Sequence, residues 1–341
     1  MRDDRPYAVY MILALNVTVF AMQSFSGGST DAETLYRMGA LSPHYVWAGE
    51  YWRFLTPLFL HIGPVHLLVN CVSLYQIGPS LERWAGTYRF LGIYFLSAFG
   101  GSVACLLGHD VGGAGASGGV FGLLGGVLTV LYVQFYRDWM AVLRSPIGSQ
   151  VAFWTGVNFF YGLTVGGVCN WAHFGGWLTG AVACAWWAAD FLRRSKREAR
   201  VRGVAVVFVL LLGAGAVYAA HPFGNPRYHA FRGDRACARQ DWSAALAEYE
   251  TAFQRGETSP TLVWRLAVVS GRLGRLGEAQ RYFESYTVVR PGDPAGWVML
   301  ARICHERGDL EAERQAERRA VDLMEAAGRL KATGETHPEG D

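Results

Sequence analysis

The chain has 341 residues, 51% of them hydrophobic and 17% charged, and a net charge of +3. An apolar majority gathered into long runs excludes an ordinary soluble globule and a disordered chain. No basic stripe interleaved with aromatics appears, which argues against nucleic-acid binding.

The first apolar run, 7–23, follows Arg2 and Arg5 and has no small-residue cleavage site. It reads as a signal anchor retained as the first helix, not as a removed leader. Further runs lie at 62–80, 88–107, 117–135, 150–167, 171–189 and 203–220. A helix needs roughly 20 residues to cross hydrocarbon, so seven spans are expected. The segment 24–60 is rich in aromatics (Tyr45, Trp47, Tyr51, Trp52), a composition that suits the headgroup layer.

Arg83 and Arg89, then Arg137 and Arg144, then Arg193, Arg194, Lys196, Arg197, Arg200 and Arg202 occupy alternate loops, whereas 108–116 and 164–170 carry no Lys or Arg. The positive-inside rule then places the N-terminus and the basic loops in the cytoplasm. It places 24–60, the start of the fourth span and everything after the seventh outside. The basic loop also suits contact with anionic lipid headgroups. Six cysteines form no CxxC pair and no Cys/His zinc spacing. Cys71, Cys105, Cys169 and Cys184 read as small hydrophobes in or beside apolar runs, Cys237 and Cys304 lie in the C-terminal region, and no disulfide framework is expected.

From about Pro226 the pattern changes to amphipathic helices. Trp242 returns as Leu276 and Leu310, Ala245 as Ala279, and Tyr249 as Phe283, each 34 residues on. Gly274 and Gly308 mark turns, and Pro291 and Pro294 separate units. This is the period of tetratricopeptide hairpins. The third unit departs after its turn, with Ala312 one position early, as a capping repeat would. A polar tail is expected at 331–341.

Three polar features stand inside the apolar runs. Ser117 lies in Gly115-Ala116-Ser117-Gly118-Gly119 at the start of the fourth span. A lone serine in a span ordinarily bonds a backbone carbonyl, but flanking glycines let a substrate approach and expose an N–H beside the hydroxyl. His173 lies in the sixth span, where an ionisable residue is costly and tends to mark function. Gly118, Gly122 and Gly126 on one span and Gly176 and Gly180 on the other form small-xxx-small rows that allow close helix contact. With no Asp or Glu at this level, Ser117 and His173 would act as a dyad. His66 and Asn70, four apart, share one helix face and offer two donors for an oxyanion; the bland reading is a polar pair that joins spans. No His-Glu-x-x-His and no phosphate loop occurs, and His61, His66, His109 and His173 lack a carboxylate at ligand spacing, so neither metal nor cofactor is expected.

Taken together these residues resemble the rhomboid family of intramembrane proteases. The matching pieces are Trp52-Arg53, His61 ahead of His66-x-x-x-Asn70, Glu82 with Gly86, Gly115-x-Ser117-Gly118, and His173 with Gly176-x-x-x-Gly180, over roughly residues 7–190. The resemblance implies a six-helix core, Ser117 as nucleophile, His173 as base, His66 and Asn70 at the oxyanion, a membrane-embedded loop containing Trp52-Arg53, and transmembrane proteins as substrates. Phe121 departs from it: family members often carry there a tyrosine that stacks on the catalytic histidine.

The expected fold is all-α: a polytopic membrane bundle with a six-helix rhomboid core (1–192), a basic cytoplasmic loop (193–202), a seventh span (203–220), a helical repeat domain (226–330) that binds a protein partner, and the tail. The expected location is a bacterial inner membrane, with the repeats outside. The rival readings are a catalytically inactive client-binding relative and a membrane scaffold built around the repeats.

Overall fold

The computed structural model describes residues 5–109, 112–135, 138–164, 169–189 and 196–333. Arg2, Arg137, Arg193, Arg194, residues 165–167 at the end of the expected fifth span and the tail beyond Thr333 lie outside these. The described chain divides into two compact units, Met1–His221 and Pro222–Asp341.

The first unit opens with α1 (Tyr7–Phe25). A connecting loop follows, built from the short helices α2 (Ala32–Arg37) and α3 (Pro43–Trp47) and two 3₁₀ turns, Tyr51–Phe54 and Thr56–Phe59. The long helices α4 (Gly63–Ala85), α5 (Thr87–His109) and α6 (Ser117–Gln134) come next. The short α7 (Trp139–Arg144) leads to α8 (Pro146–Thr164), α9 (Asn170–Ala188) and α10 (Lys196–Ala220). By length and composition α1, α5, α6 and α10 are apolar enough to cross a membrane. The others, α4, α8 and α9, have 23, 19 and 19 residues, which is about 28–35 Å of helix. The hydropathy of α4 and α9 is lowered by polar groups buried in the bundle, such as Asn70, Glu82 and His173.

The centre of the bundle is α6: 72% of its span is buried, against 17% for α10. Its glycines make this possible. A Cβ on Gly180 of α9 would stand 2.6 Å from Gly122 Cα, and one on Gly176 3.1 Å from Gly118 Cα, so the two helices meet backbone to backbone. Side-chain packing alone holds helices 8–10 Å apart. At the far end from Ser117, the buried Glu82 carboxylate accepts from the Ala8 and Val9 N–H groups at 3.0 Å each and from the Thr87 hydroxyl at 2.9 Å. It thereby caps the positive end of α1. Gly86, at φ +83°, ends α4 with its N–H on Glu82 O.

Contrary to the reading of Cys105 and Cys169 as plain hydrophobes, the two form a disulfide, with Cα atoms 6.2 Å apart. They lie at the Ser117 ends of α5 and α9, and their separation of 64 residues leaves no local motif. The other four cysteines are free.

The second unit is three helical hairpins: α11 (Pro226–Ala238) with α12 (Trp242–Gln254), α13 (Pro260–Arg272) with α14 (Leu276–Val289), and α15 (Pro294–Arg307) with α16 (Leu310–Thr333). Each first helix starts on a proline at its first position, behind an Asn225, Ser259 or Asp293 side chain that accepts a backbone N–H; a missing N–H costs nothing there. Ala245, Tyr249, Ala279 and Phe283 are buried, as the repeat requires. In the third hairpin the buried positions shift to Ala316 and Ala320 of α16. Gly274 and Gly308 take φ of +72° and +76° in the turns, and Gln240 takes +60° at the equivalent place in the first hairpin.

Candidate active site

Ser117 is the first residue of α6, so its N–H and those of Gly118 and Gly119 have no carbonyl one turn back and face the helix's positive end. The segment leading to it is pinned to the loop between α1 and α4. Leu41 and Gly113 exchange two backbone hydrogen bonds, at 2.8 and 3.1 Å, and the Gly115 N–H donates to Pro57 O at 2.9 Å. Gly115 takes φ +141°, a conformation that glycine alone adopts readily. A Cβ there would stand 2.9 Å from His66 Nε2 and 3.7 Å from Ser117 Oγ. The missing side chain therefore lets the His66 ring close against the Gly115 backbone, with Ser117 Oγ beside it.

Helix α4 supplies His66 and Asn70. His66 Nδ1 accepts the Ile62 N–H at 3.3 Å, which assigns the proton of a neutral ring to Nε2. The ring thus presents a donor toward Gly115. Asn70, 5% exposed, places its Nδ2 2.9 Å from His66 O. One amide N–H is spent inside the helix, and one remains. His61 is fully buried, edge-on to His66 at 5.4 Å, and its backbone is held on both sides by the Gln23 amide of α1.

His173, one turn into α9, is 7% exposed. Phe121 of α6 stacks on it with ring centroids 4.1 Å apart and planes 9° apart, and Phe159 of α8 meets it edge-on at 6.1 Å. Two aromatic walls thus set the imidazole plane. Its Nδ1 is buried with no hydrogen-bond partner among the described residues, so no carboxylate orients it. Ser117 and His173 share no hydrogen bond in the structure. In a free active site such bonds are often long and tighten only with substrate.

Of the residues singled out in the sequence, Ser117, His66 and Gly115 lie close together, Phe121 stacks on His173, Gly118 meets Gly176, and Gly180 lies mid-helix against Gly122. Sequence reasoning overlooked Pro57, Phe159 and Gln23, whose contributions run through backbone atoms or ring edges that no spacing announces. The loop between α1 and α4 turns on Arg53, 3% exposed, which donates to Tyr36 O at 2.7 Å, Ala40 O at 2.8 Å and Glu50 at 2.8 Å, and lies 4.0 Å from the Tyr45 ring centroid. Among the described residues no group of three or more His, Cys, Asp or Glu is placed to hold a metal.

The family model described as the rhomboid domain matches residues 48–190, the stretch that holds the whole cluster. This chain carries a rhomboid domain. A tetratricopeptide repeat model matches residues 266–328, within the second unit. The chain is 32% identical over 314 residues, 90% of its length, to "Rhomboid protease GluP" of Bacillus subtilis (strain 168), of which it spans 59%. It is 34% identical over 184 residues to "RHOMBOID-like protein 7" of Arabidopsis thaliana, covering 52% of this chain and 57% of that one. To "RHOMBOID-like protein 4" of the same plant it is 40% identical over 151 residues, 43% of this chain and 37% of the relative. With its rhomboid domain and apolar helices, the chain is an integral membrane protein.

Proposed function

We propose that the protein is an intramembrane serine endopeptidase that cleaves transmembrane segments with a Ser117–His173 dyad. The observation that carries this reading is the approach of both Ser117 Oγ and His66 Nε2 to Gly115, with the His173 ring held by Phe121 on the neighbouring helix. Ser117 Oγ attacks the scissile carbonyl as its proton passes to His173. The oxyanion accepts from the Ser117 N–H, His66 Nε2–H and the remaining Asn70 N–H. Collapse breaks the C–N bond, and His173 returns the proton to the departing amine. Water, activated by the same imidazole, then cleaves the ester to release the acid.

A membrane helix keeps its carbonyls bonded and shielded, so substrates whose segments unwind easily near the Ser117 end are expected. The loop charges support an orientation with that end outside and the N-terminus in the cytoplasm, in a bacterial inner membrane on this reading. The Cys105–Cys169 disulfide, at the Ser117 end, supports an oxidising outer side. The repeat domain, then also outside, binds a protein partner or substrate through its stacked hairpins.

The test is cleavage of a generic transmembrane substrate by purified protein in detergent. Wild type should cut and Ser117→Ala should not. Equal cleavage by both would sink the assignment. Labelling of Ser117 by a serine-reactive probe separates an enzyme from an inactive client-binding relative.

A further inference from the structure

At the end of the bundle away from Ser117, helices α5, α9 and α10 do not close on one another. Between them lies a cavity of about 300 Å³ lined by apolar groups, among them Leu96, Ala183, Trp186, Trp187, Ala205 and Val209. That is the lower end of the range for small-molecule sites. Its rim on α10 is open sideways: Val206 and Leu210, which also line it, are 48% and 67% exposed, on a face that meets hydrocarbon.

The cavity does not stop at apolar walls. One turn before Val206, about 6 Å along the helix, the Arg202 guanidinium lies 5.4 Å from the ring centroid of the lining Trp186. Glu198 bridges Arg202 at 3.1 Å, and Arg200 is exposed. The sequence from Lys196 to Arg202 holds four cations and one carboxylate, leaving an excess of positive charge at the level where α10 leaves the hydrocarbon. An apolar slot open to lipid, with excess positive charge one turn above it, matches an amphiphile with one acyl chain in the slot and an anion at its head.

We propose that this cleft is a binding site for one anionic glycerophospholipid of the leaflet opposite Ser117, an acyl chain lying between α5, α9 and α10 and the phosphodiester at the basic turn of α10 that carries Arg202, with Arg200 adding to its charge. The apolar slot takes any acyl chain, and the basic rim selects the charge of the head.

Native mass spectrometry of the full chain in detergent, with equimolar dioleoyl-phosphatidylglycerol and dioleoyl-phosphatidylcholine, tests this. Wild type should retain one phosphatidylglycerol in about tenfold preference. The pair Arg200→Gln and Arg202→Gln should lower phosphatidylglycerol to the phosphatidylcholine level and leave the latter unchanged. Glu198→Gln should raise the preference; a merely structural role for the Arg202–Glu198 bridge would move both variants the same way. Ala205→Phe, and Val209→Trp as a second filling variant, should reduce retention of both lipids. Equal retention of the two lipids by wild type, or an arginine-pair variant that keeps its preference, overturns the proposal. So does displacement of the bound lipid by excess glycerol phosphate, which would mark a site for the headgroup alone.

Discussion

Replacing Gly180 of α9 by alanine tests whether the backbone contact of α6 with α9 sets the catalytic geometry. The added Cβ would stand 2.5 Å from Gly122 C and 2.6 Å from its Cα, where ordinary contact begins at 3.4 Å. Backbone cannot rotate aside as a side chain can, and Gly122 O would lie closer still, so the helices must part by at least about 0.9 Å, the difference between 3.4 and 2.5 Å. Ser117 rides on α6 and His173 on α9, about two turns away. A displacement of about 1 Å at reacting groups costs on the order of 100-fold in rate, and overpacking costs about 1–3 kcal/mol of stability. The assay is steady-state cleavage of a transmembrane substrate in detergent, read beside the thermal midpoint. Gly203→Ala on α10, where an added Cβ meets nothing within 4 Å, is the control and should change the rate less than about twofold. A Gly180→Ala protein that cleaves at the wild-type rate, or a control that falls as far, would refute the reasoning.

Phe121→Ala removes the ring stacked on His173 at 4.1 Å. A stacked pair contributes about 0.5–1.5 kcal/mol, so kcat should fall up to about tenfold, while Phe121→Tyr should keep most activity. Arg53→Ala strands the carbonyls of Tyr36 and Ala40 and the Glu50 carboxylate; a loss of about 3–5 kcal/mol should show as a lower thermal midpoint and easier proteolysis of the loop between α1 and α4. Alkylation without reductant should spare Cys105 and Cys169, modify the half-buried Cys71 and Cys237 first, and reach the buried Cys184 and Cys304 only as unfolding exposes them; modification of all six without reductant would contradict the disulfide. Gln240→Gly should stabilise the repeat unit by about 0.5–1 kcal/mol, because a side chain at positive φ is strained, read as a raised midpoint of the repeat transition.

Patterns with a period were legible in the sequence, and contacts without one were not. Hydropathy marked seven long helices, small-residue spacing marked the α6–α9 contact, and a period of 34 marked the hairpins because buried faces must recur. The loop between α1 and α4 was read only as an aromatic segment for the membrane surface. Its order comes from Arg53 donating to carbonyls 13 and 17 residues away, which no local pattern shows. Glu82 stood in the sequence as part of a resemblance; its work as the cap of α1 depends on an approach across 74 residues. The same holds for Cys105 and Cys169. Pro226, Pro260 and Pro294 do lie 34 apart, a repeat signal that was available and not used.

The C-terminal end of α10 is tied to the loop between α1 and α4. The Trp47 indole donates to Ala219 O at 3.1 Å, and the Tyr51 hydroxyl meets His221 Nε2 at 3.1 Å, so the loop that supplies Pro57 to Gly115 is fastened partly by the last residues before the repeats. A repeat-free protein cut at Ala220 would lose His221 and put a charged chain end beside Ala219. Its altered activity would then be charged wrongly to the missing repeats. Ending the shortened chain at Gly224, ahead of the Asn225 cap of α11, keeps both fastenings and makes the comparison a fair one.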